Sequence, residues 1–484
     1  MQSLSKQTLA YAAGTILSKL QGFILLPIIT RYLTPHDYGI LETLTTISFF
    51  VSIFSTLNID AGIGTFYHEQ PDDRQRRSIA SSGLWLNQCM CIILAITASI
   101  VVPQFVRRLQ GAAIYSDTLL LTIFTALLTG IASVHSTVLR LKFKTFHFNL
   151  MTVGGAFLTF LLSFLFVVNF KWGVSGVIWA NLVVASTATI VGIGLNYTDL
   201  ITRPKRMIWQ KLLTAALPLL PFSVAAWVIA FADRTILVTY RTLDEVGIYA
   251  LAARFSAIAA ILFGPFQTAW WPYAMASWQQ PQARDAFVRI FRVFIVSAGA
   301  LTVIIAGASP IALYWLMPYE YFDAARYVGL LVICNLLVSL YFFPLVSLML
   351  NKKSWITSFA YSVGAIINIL LNFVWVPTYG VAGATWATVI GYTVMLTLVT
   401  VWAHRILPIA YPYAKAVILL LALLVMATIP FLWATENVTL MIVQLLVNSS
   451  LYAALVLVTG LADDEMLQSV KTRFDNLVFK LQSK

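Results

Sequence analysis

The candidate functional residues of this sequence are the charged side chains that lie inside long apolar stretches. A charge near the centre of a lipid bilayer costs at least ~2.5–3.5 kcal/mol, and it is normally tolerated only in a water-filled cavity or beside a partner charge. Each such position therefore predicts either a binding site or an ion pair. The positions are Lys19, Glu42, Asp60, Asp233, Arg234 and Arg254.

The position of Lys19 favours a cavity, as does that of Arg254. Lys19 lies about eleven residues into an apolar segment, which at ~1.5 Å per helical residue places it close to the bilayer midplane. Thr8, Ala12, Thr15, Lys19 and Gly22 are spaced four, three, four and three apart and so share one helix face. The pattern predicts that Lys19 lies on an inward, polar face.

The other five charges leave more than one interpretation open. Arg254 lies about eight residues into its segment, roughly 12 Å below the surface, too deep for easy snorkelling, which favours a cavity position. Asp233 and Arg234 are adjacent, and an internal or cross-helix ion pair is as good an interpretation as a substrate contact. Glu42 and Asp60 lie near the two ends of one segment, where interfacial positions and cavity positions both fit.

The elements that carry these residues are membrane-spanning helices. Hydrophobic residues make up 60% of the 484-residue chain, charged residues only 10%, and the mean hydropathy is +0.85. A helix needs about 20 mostly apolar residues to cross a bilayer. Such stretches predict an all-α membrane protein with about fourteen spans, at 8–30, 38–60, 80–103, 113–138, 148–168, 174–195, 212–240, 246–272, 289–309, 325–350, 355–376, 380–402, 413–434 and 438–461.

The loops between these segments predict the orientation of the chain. Of the 31 Lys and Arg residues, 22 fall on the side of the N-terminus, six fall on the other side, and three lie within spans. Basic residues are retained on the cytoplasmic side. Both termini are therefore predicted to be cytoplasmic, and the net charge of +12 is explained by topology and by attraction to anionic membrane lipids, with no need for a nucleic-acid partner.

Two phrases of the sequence occur twice at nearly the same offset. "YLTPHDYGIL" (32–41) matches "YRTLDEVGIY" (240–249), 208 residues later, and "GVSGVIWAN" (173–181) matches "GVAGATWAT" (380–388), 207 residues later. An offset of six helices keeps both copies in the same orientation, so the sequence predicts a parallel repeat of the kind found in secondary transporters.

The repeat sets the predicted domain division. Residues 1–204 form an N-lobe with helices 1–6, 205–406 a C-lobe with helices 7–12, 407–462 the two further helices 13 and 14, and 463–484 an amphipathic cytoplasmic tail. The small residues of the second phrase, such as Gly173, Gly176 and Ala180, share a helix face and predict close helix packing.

The sequence contains no pattern that predicts catalysis. Its three cysteines, Cys89, Cys91 and Cys334, lie in apolar segments without metal-ligand spacing. No nucleophile elbow, phosphate loop or zinc motif is present, and the connections between spans are short. We therefore expect no enzyme activity, no cofactor and no metal site.

Four segments resemble the multidrug/oligosaccharidyl-lipid/polysaccharide (MOP) exporters, and among them the Wzx-type polysaccharide flippases. They are "SKLQGFILLPIITRYLTPHDYGILE" (18–42), "ADRTILVTYRTLDEVGIYALAARF" (232–255), "FGPFQTAWWPYAM" (263–275) and "YGVAGATWAT" (379–388). The resemblance implies a V-shaped, MATE-like pair of six-helix bundles with alternating access to a central cavity. It also implies a bacterial inner-membrane location and a polyprenyl-diphosphate-linked oligosaccharide as substrate, for O-antigen, capsule or exopolysaccharide synthesis, with a polysaccharide polymerase and other biosynthesis proteins as partners.

Within that resemblance, the cationic residues are expected to bind the substrate. Lys19 and Arg254 would neutralise the diphosphate, with Arg234 and Asp233 as further substrate contacts. The alternative is a MATE-type cation-coupled multidrug antiporter, in which Glu42, Asp60 or Asp233 would hold the coupling ion. The first segment argues against that alternative, because it carries Lys19 and no carboxylate.

Overall fold

The computed structural model describes residues 14, 17, 18, 20–108, 116–432 and 435–462. These residues form helices joined by short connections, and the described part of the chain contains no strand. In lipid this is expected, because a helix satisfies all of its backbone hydrogen bonds within one segment. Lys19 and the predicted tail at 463–484 lie outside the described residues.

Thirteen described helices are long and apolar enough to cross a membrane, and a shorter apolar helix precedes them. Together they match the fourteen predicted spans one for one, which confirms the all-α membrane fold. In chain order they are α1 (Leu20–Thr30), α2 (Pro35–Thr56) with its short continuation α3 (Ile59–Tyr67), α4 (Asp73–Arg108), α5 (Ser116–Leu141), α6 (Thr145–Asn169), α7 (Gly173–Leu195), α8 (Arg206–Tyr240), α9 (Leu243–Ser277), α10 (Ala283–Leu316), α11 (Tyr319–Leu350), α12 (Trp355–Tyr379), α13 (Val381–Ile406), α14 (Tyr413–Leu432) and α15 (Val438–Thr459).

The first doubled phrase begins a helix in the same way in both of its copies. At the start of α2, Asp37 N donates to Thr34 Oγ1 (3.2 Å) and Thr34 N donates to the Asp37 carboxylate (3.1 Å), which is a complete capping box. At the start of α9, Glu245 N donates to Thr242 Oγ1 (3.3 Å). Here the acidic side chain turns away and binds Arg241 Nε (3.2 Å).

The two copies of this phrase also contact each other, and the contact is reciprocal. A Cβ on Gly39 would overlap the carbonyl oxygen of Leu243, and a Cβ on Gly247 would overlap the carbonyl oxygen of Pro35. Pro35 corresponds to Leu243, and Gly39 to Gly247, at the same offset of 208. A contact in which each copy presents the same surface to the other is the signature of a two-fold relationship.

The second doubled phrase has matching backbone conformations. Gly173 (φ +57°) starts α7, and Gly380 (φ +56°) immediately precedes α13, both in the left-handed region that favours glycine. Three residues on, Gly176 approaches the backbone of Phe166, and Gly383 approaches the backbone of Trp375. These close approaches support the packing role expected for the phrase.

The chain divides into two compact units. Unit 1 comprises the described residues of Met1–Ala250 together with Asn368–Ala384, and unit 2 comprises those of Leu251–Ile367 and Thr385–Lys484. Within unit 1, α5 packs against α2, α4 and α7. Within unit 2, α10 packs against α11, α14 and α15. The predicted lobe boundaries follow the duplicated sequence rather than these units, and they stay a prediction.

Candidate functional site

Three of the predicted charged residues meet in unit 1. Arg234 Nε lies 3.9 Å from Glu42 Oε2, and Arg234 Nη1 lies 3.3 Å from Asp233 Oδ1. All three side chains are buried, with Glu42 3%, Asp233 1% and Arg234 6% exposed. We call this group the ion cluster. The sequence left open whether Arg234 forms an ion pair within its helix or with another helix. In the structure it does both, with Asp233 on the same helix and with Glu42 on α2.

Asp233 is held by donors on both of its carboxylate oxygens. Its Oδ1 accepts from the backbone N of Arg234 (2.7 Å), and its Oδ2 accepts from the hydroxyl of Tyr249, which is itself 1% exposed. The Arg234 guanidinium also donates to Ala230 O (2.8 Å) and lies over the Phe231 ring at 5.1 Å. Burial of these charges is made tolerable by this dense set of partners.

The ion cluster lies where the Leu220–Tyr240 part of α8 packs along α2, a contact that we call the α2–α8 seam. Phe231 stacks on Phe49 with ring centroids 4.9 Å apart. Trp227 lies 4.7 Å from the Phe50 ring and donates its Nε1–H to Thr46 O at 3.3 Å. Aromatic contacts therefore fix the two helices so that Glu42 faces Arg234.

The remaining predicted site residues lie apart from this cluster. Asp60 is in the first turn of α3 and is half-buried. Arg254 is on the part of α9 that belongs to unit 2, and it is exposed. Lys19 is not among the described residues. The substrate-binding roles assigned to Lys19, Arg254, Arg234 and Asp233, and the ion-coupling roles of Glu42, Asp60 and Asp233, stay predictions.

Unit 1 also contains a pocket of about 300 Å³ between α2, α5, α6 and α7, which we call the hydroxyl pocket. Half of its lining residues are polar, and none of those that the structure describes is charged. The polar ones are Thr45, Ser48, Thr122, Thr125, Thr129, Thr159 and Asn181.

The threonines of the hydroxyl pocket present oxygen acceptors. Thr45, Thr125, Thr129 and Thr159 each donate their only hydroxyl proton to the carbonyl four residues earlier, at 2.7–3.0 Å. The lone pairs of these hydroxyls are then left to accept bonds from the pocket side. Such a lining suits a ligand rich in hydroxyl donors.

Two π-helical turns shape the wall of the hydroxyl pocket that α6 provides. Leu150–Gly154 and Leu165–Asn169 are π-helical, and they flank the regular stretch Gly155–Phe164, which carries Thr159. A π turn rotates the helix face that follows it and is frequent at functional sites. Sequence inspection missed this pocket, although the recurrence of threonine at 122, 125 and 129 marks one face of α5.

Metal coordination has no support in the described part of the chain. No group of three His, Cys, Asp or Glu residues there could hold a metal ion. None of the three cysteines, Cys89, Cys91 and Cys334, forms a disulfide.

Solved structures share this fold across most of their length. The lipid II flippase MurJ in an inward closed conformation aligns with a TM-score of 0.66 at 15% identity, covering 93% of this chain and 97% of MurJ. An inward-facing MATE family multidrug resistance transporter of the MOP superfamily aligns at 0.62 and 15% identity, covering 82% and 94%. A MOP superfamily transporter from Pyrococcus furiosus aligns at 0.55 and 14% identity, covering 83% and 95%. The chain is thus a multi-pass membrane protein with the fold of the MOP superfamily transporters.

Sequence comparison identifies the family. The profile of the family described as polysaccharide biosynthesis protein matches residues 4–278, more than half of the chain. The protein belongs to this family. No curated protein sequence matches the chain significantly.

Proposed function

We propose that the protein flips polyprenyl-diphosphate-linked oligosaccharides across the bacterial inner membrane by alternating access. The observation that carries the proposal is the hydroxyl pocket, whose polar lining is neutral and presents oxygen acceptors. A sugar offers many hydroxyl donors and no charge, so such a lining matches it. Family membership supports the same class of cargo, and the fold shared with the lipid II flippase and the MATE family transporter supports a transport role.

The diphosphate of such a substrate needs positive charge that the hydroxyl pocket does not supply. Lys19 and Arg254 are the residues we assign to it, because each lies deep within a predicted span, where the sequence favours a cavity position. Lysine would act as a point charge, and arginine would bind two phosphate oxygens at once. The polyprenyl chain can remain in lipid throughout.

Alternating access requires a contact that can open and close. We propose that the reciprocal approach of α2 and α9 at Gly39 and Gly247 is a contact of that kind, since backbone meets backbone there. With both termini in the cytoplasm, this end of the helices faces outward. We propose that its separation releases the glycan on the outer side.

The hydroxyl pocket is tested by the double substitution Thr125→Val and Thr129→Val, which keeps side-chain shape and removes two acceptors. We expect glycan export in a flippase-deficient strain to fall at least tenfold while membrane abundance is unchanged. The matched control is Thr187→Val on α7, whose hydroxyl makes the same i−4 bond to Val183 O (2.8 Å) but does not line the pocket. Full export by the double variant would refute the pocket's role.

The competing proposal is a cation-coupled multidrug antiporter. Glu42 and Asp233 are the buried carboxylates it would use, but both already lie beside Arg234, whose charge competes with a coupling ion. Dye efflux from cells that overproduce the protein discriminates between the two. Efflux that depends on Glu42 or Asp60, together with no effect on glycan export, would favour the antiporter.

A further inference from the structure

A second pocket lies at the end of unit 1 that is predicted to face the cytoplasm. It has a volume of about 280 Å³ and is formed where α3 ends and where α4 and α8 begin. We call it the basic pocket, because three of its lining residues, Arg74, Lys205 and Lys211, are cationic. No lining residue among those the structure describes is acidic.

Two acidic residues of the adjoining loop, Asp72 and Asp73, make local contacts. Asp73 Oδ1 lies 3.5 Å from Arg76 Nη1, and Asp72 Oδ1 accepts from the backbone N of Arg74 at 3.2 Å. Arg76 Nε in turn donates to Gln70 O (2.7 Å), which closes the loop between α3 and α4. Arg74, Lys205 and Lys211 thus line the pocket, and its described lining contains no carboxylate.

A buried polar atom in the lining points independently to a ligand. Ser78 is 6% exposed, and its Oγ has no hydrogen-bond partner within the described residues. Leaving such a group unsatisfied costs about 1–3 kcal/mol, so a polar partner in the pocket would be favoured. In addition, α8 begins at Arg206 without a side-chain cap, and the positive end of its dipole lies at the pocket.

The other wall of the basic pocket is apolar, and exposed apolar residues follow it along α8. The Phe66 ring lies 4.2 Å from Lys211 Nζ, in a cation–π contact that orients the lysine. Met207 is 76% exposed, and further along α8 Leu217 and Leu219 are also exposed. A ligand that fits this site would carry an anionic head and an apolar tail.

We propose that the basic pocket binds a lipid-borne phosphate at the cytoplasmic membrane surface. Lys205, Lys211 and Arg74 would neutralise the phosphate, Ser78 Oγ would donate to it, and the Phe66 and Met207 surface would contact the first carbons of the chain. The proposal goes beyond the flippase function and does not depend on it. The phosphate could belong to an anionic phospholipid or to a polyprenyl diphosphate, because the chemistry is the same.

The test is a binding measurement on the purified full-length protein in mixed micelles. The probes are fluorescent phosphatidylglycerol, phosphatidylcholine as the zwitterionic comparison, undecaprenyl diphosphate and inorganic phosphate. We expect phosphatidylglycerol or undecaprenyl diphosphate to bind the unmodified protein at least tenfold more tightly than phosphatidylcholine. The tighter of these two probes identifies the source of the phosphate, and weak binding of inorganic phosphate shows that the apolar wall contributes.

Two variants locate the site. Lys205→Gln with Lys211→Gln should weaken binding of the preferred lipid about 30-fold, since each basic side chain near a membrane surface contributes roughly a factor of five. The matched control, Arg140→Gln with Lys144→Gln, removes the same charge from exposed positions outside the pocket and should change binding less than threefold. Ser78→Ala should weaken binding about threefold or more, because it removes the donor.

Three results would overturn the proposal. One is equal binding of the anionic lipids and phosphatidylcholine. Another is an equal loss in the control double variant, which would show general surface attraction. The third is unchanged binding in both Ser78→Ala and the Lys205 and Lys211 double variant.

Discussion

At the scale of single residues, the ion cluster shows why charge can be kept inside this bundle. One guanidinium lies between two carboxylates, and the hydroxyl of Tyr249 binds the second oxygen of Asp233. Removing one partner of a buried ion pair lowers the stability of a protein more than replacing both partners by apolar residues, because the remaining charge stays buried without a partner. The cluster therefore stabilises α2 against α8 only as a complete set.

The ion cluster predicts a large effect for Arg234→Gln. Glu42 and Asp233 would be left as neighbouring buried anions, at a cost of about 3–5 kcal/mol. We expect a clear fall in membrane abundance and in the thermal midpoint of the detergent-purified protein. The control is Arg241→Gln, whose partner Glu245 is partly exposed and whose loss should cost under about 1 kcal/mol. A stable, abundant Arg234→Gln protein that lacks export would instead assign Arg234 to the substrate.

The charges assigned to the diphosphate predict a different pattern. Lys19→Gln and Arg254→Gln should each abolish glycan export while the protein still accumulates in the membrane. Lys19→Arg and Arg254→Lys should keep more activity, with Arg254→Lys impaired because lysine cannot bind two oxygens in a fork. Complementation of a flippase-deficient strain, measured beside membrane abundance, provides the readout. Full export with both positions neutral would contradict the cationic cavity.

At the scale of helices, the reciprocal contact of α2 and α9 depends on the absence of two side chains. Gly39 and Gly247 allow the two helix starts to approach until backbone meets backbone. Small residues serve this purpose in membranes generally, where helices gain little from hydrophobic burial and depend on close packing. The same duplicated sequence also provides the threonine that begins each helix.

This contact predicts the effect of adding one carbon atom. Gly247→Ala places a Cβ against Pro35 O, so α2 and α9 must separate, and we expect a lower thermal midpoint and reduced export. Gly264→Ala, on the same helix with nothing within 4 Å, should be neutral or slightly stabilising. Thermal unfolding of both purified variants makes the comparison. Equal midpoints would show that the close approach is not required.

At the scale of the whole molecule, two features of the sequence predict the membrane topology. They are the fourteen predicted spans and the uneven distribution of Lys and Arg between the loops on the two sides. An even number of spans returns the chain to the side from which it started. The 22 to six division of Lys and Arg predicts that this side is the cytoplasm. We propose the inner membrane of a bacterium as the location of the protein.

The topology is tested by a reporter fusion. Alkaline phosphatase, which is active only outside the inner membrane, should be inactive when fused after Lys484 and active when inserted between α6 and α7, near Lys171. A cytoplasmic reporter at the same two positions should give the opposite result. Activity of alkaline phosphatase after Lys484 would overturn either the orientation or the number of spans.

The sequence by itself determined the spans, the duplication and the family. Spans are read from local hydropathy, because burial in lipid acts on each segment separately. The two doubled phrases identify equivalent positions without any knowledge of packing, and the starts of α2 and α9 and the conformations of Gly173 and Gly380 agree with them.

Only the tertiary structure decided which polar groups meet. Glu42 and Arg234 are 192 residues apart, and nothing in either segment indicates that they pair. The hydroxyl pocket draws its lining from four helices, and the basic pocket combines a loop with the start of a distant helix. The sequence of a helix shows that it has a polar face, but not which helix packs against that face. The neighbour is set by how the helices pack, as where α2 meets α9 at Gly39 and Gly247, and such packing joins segments that are distant in sequence.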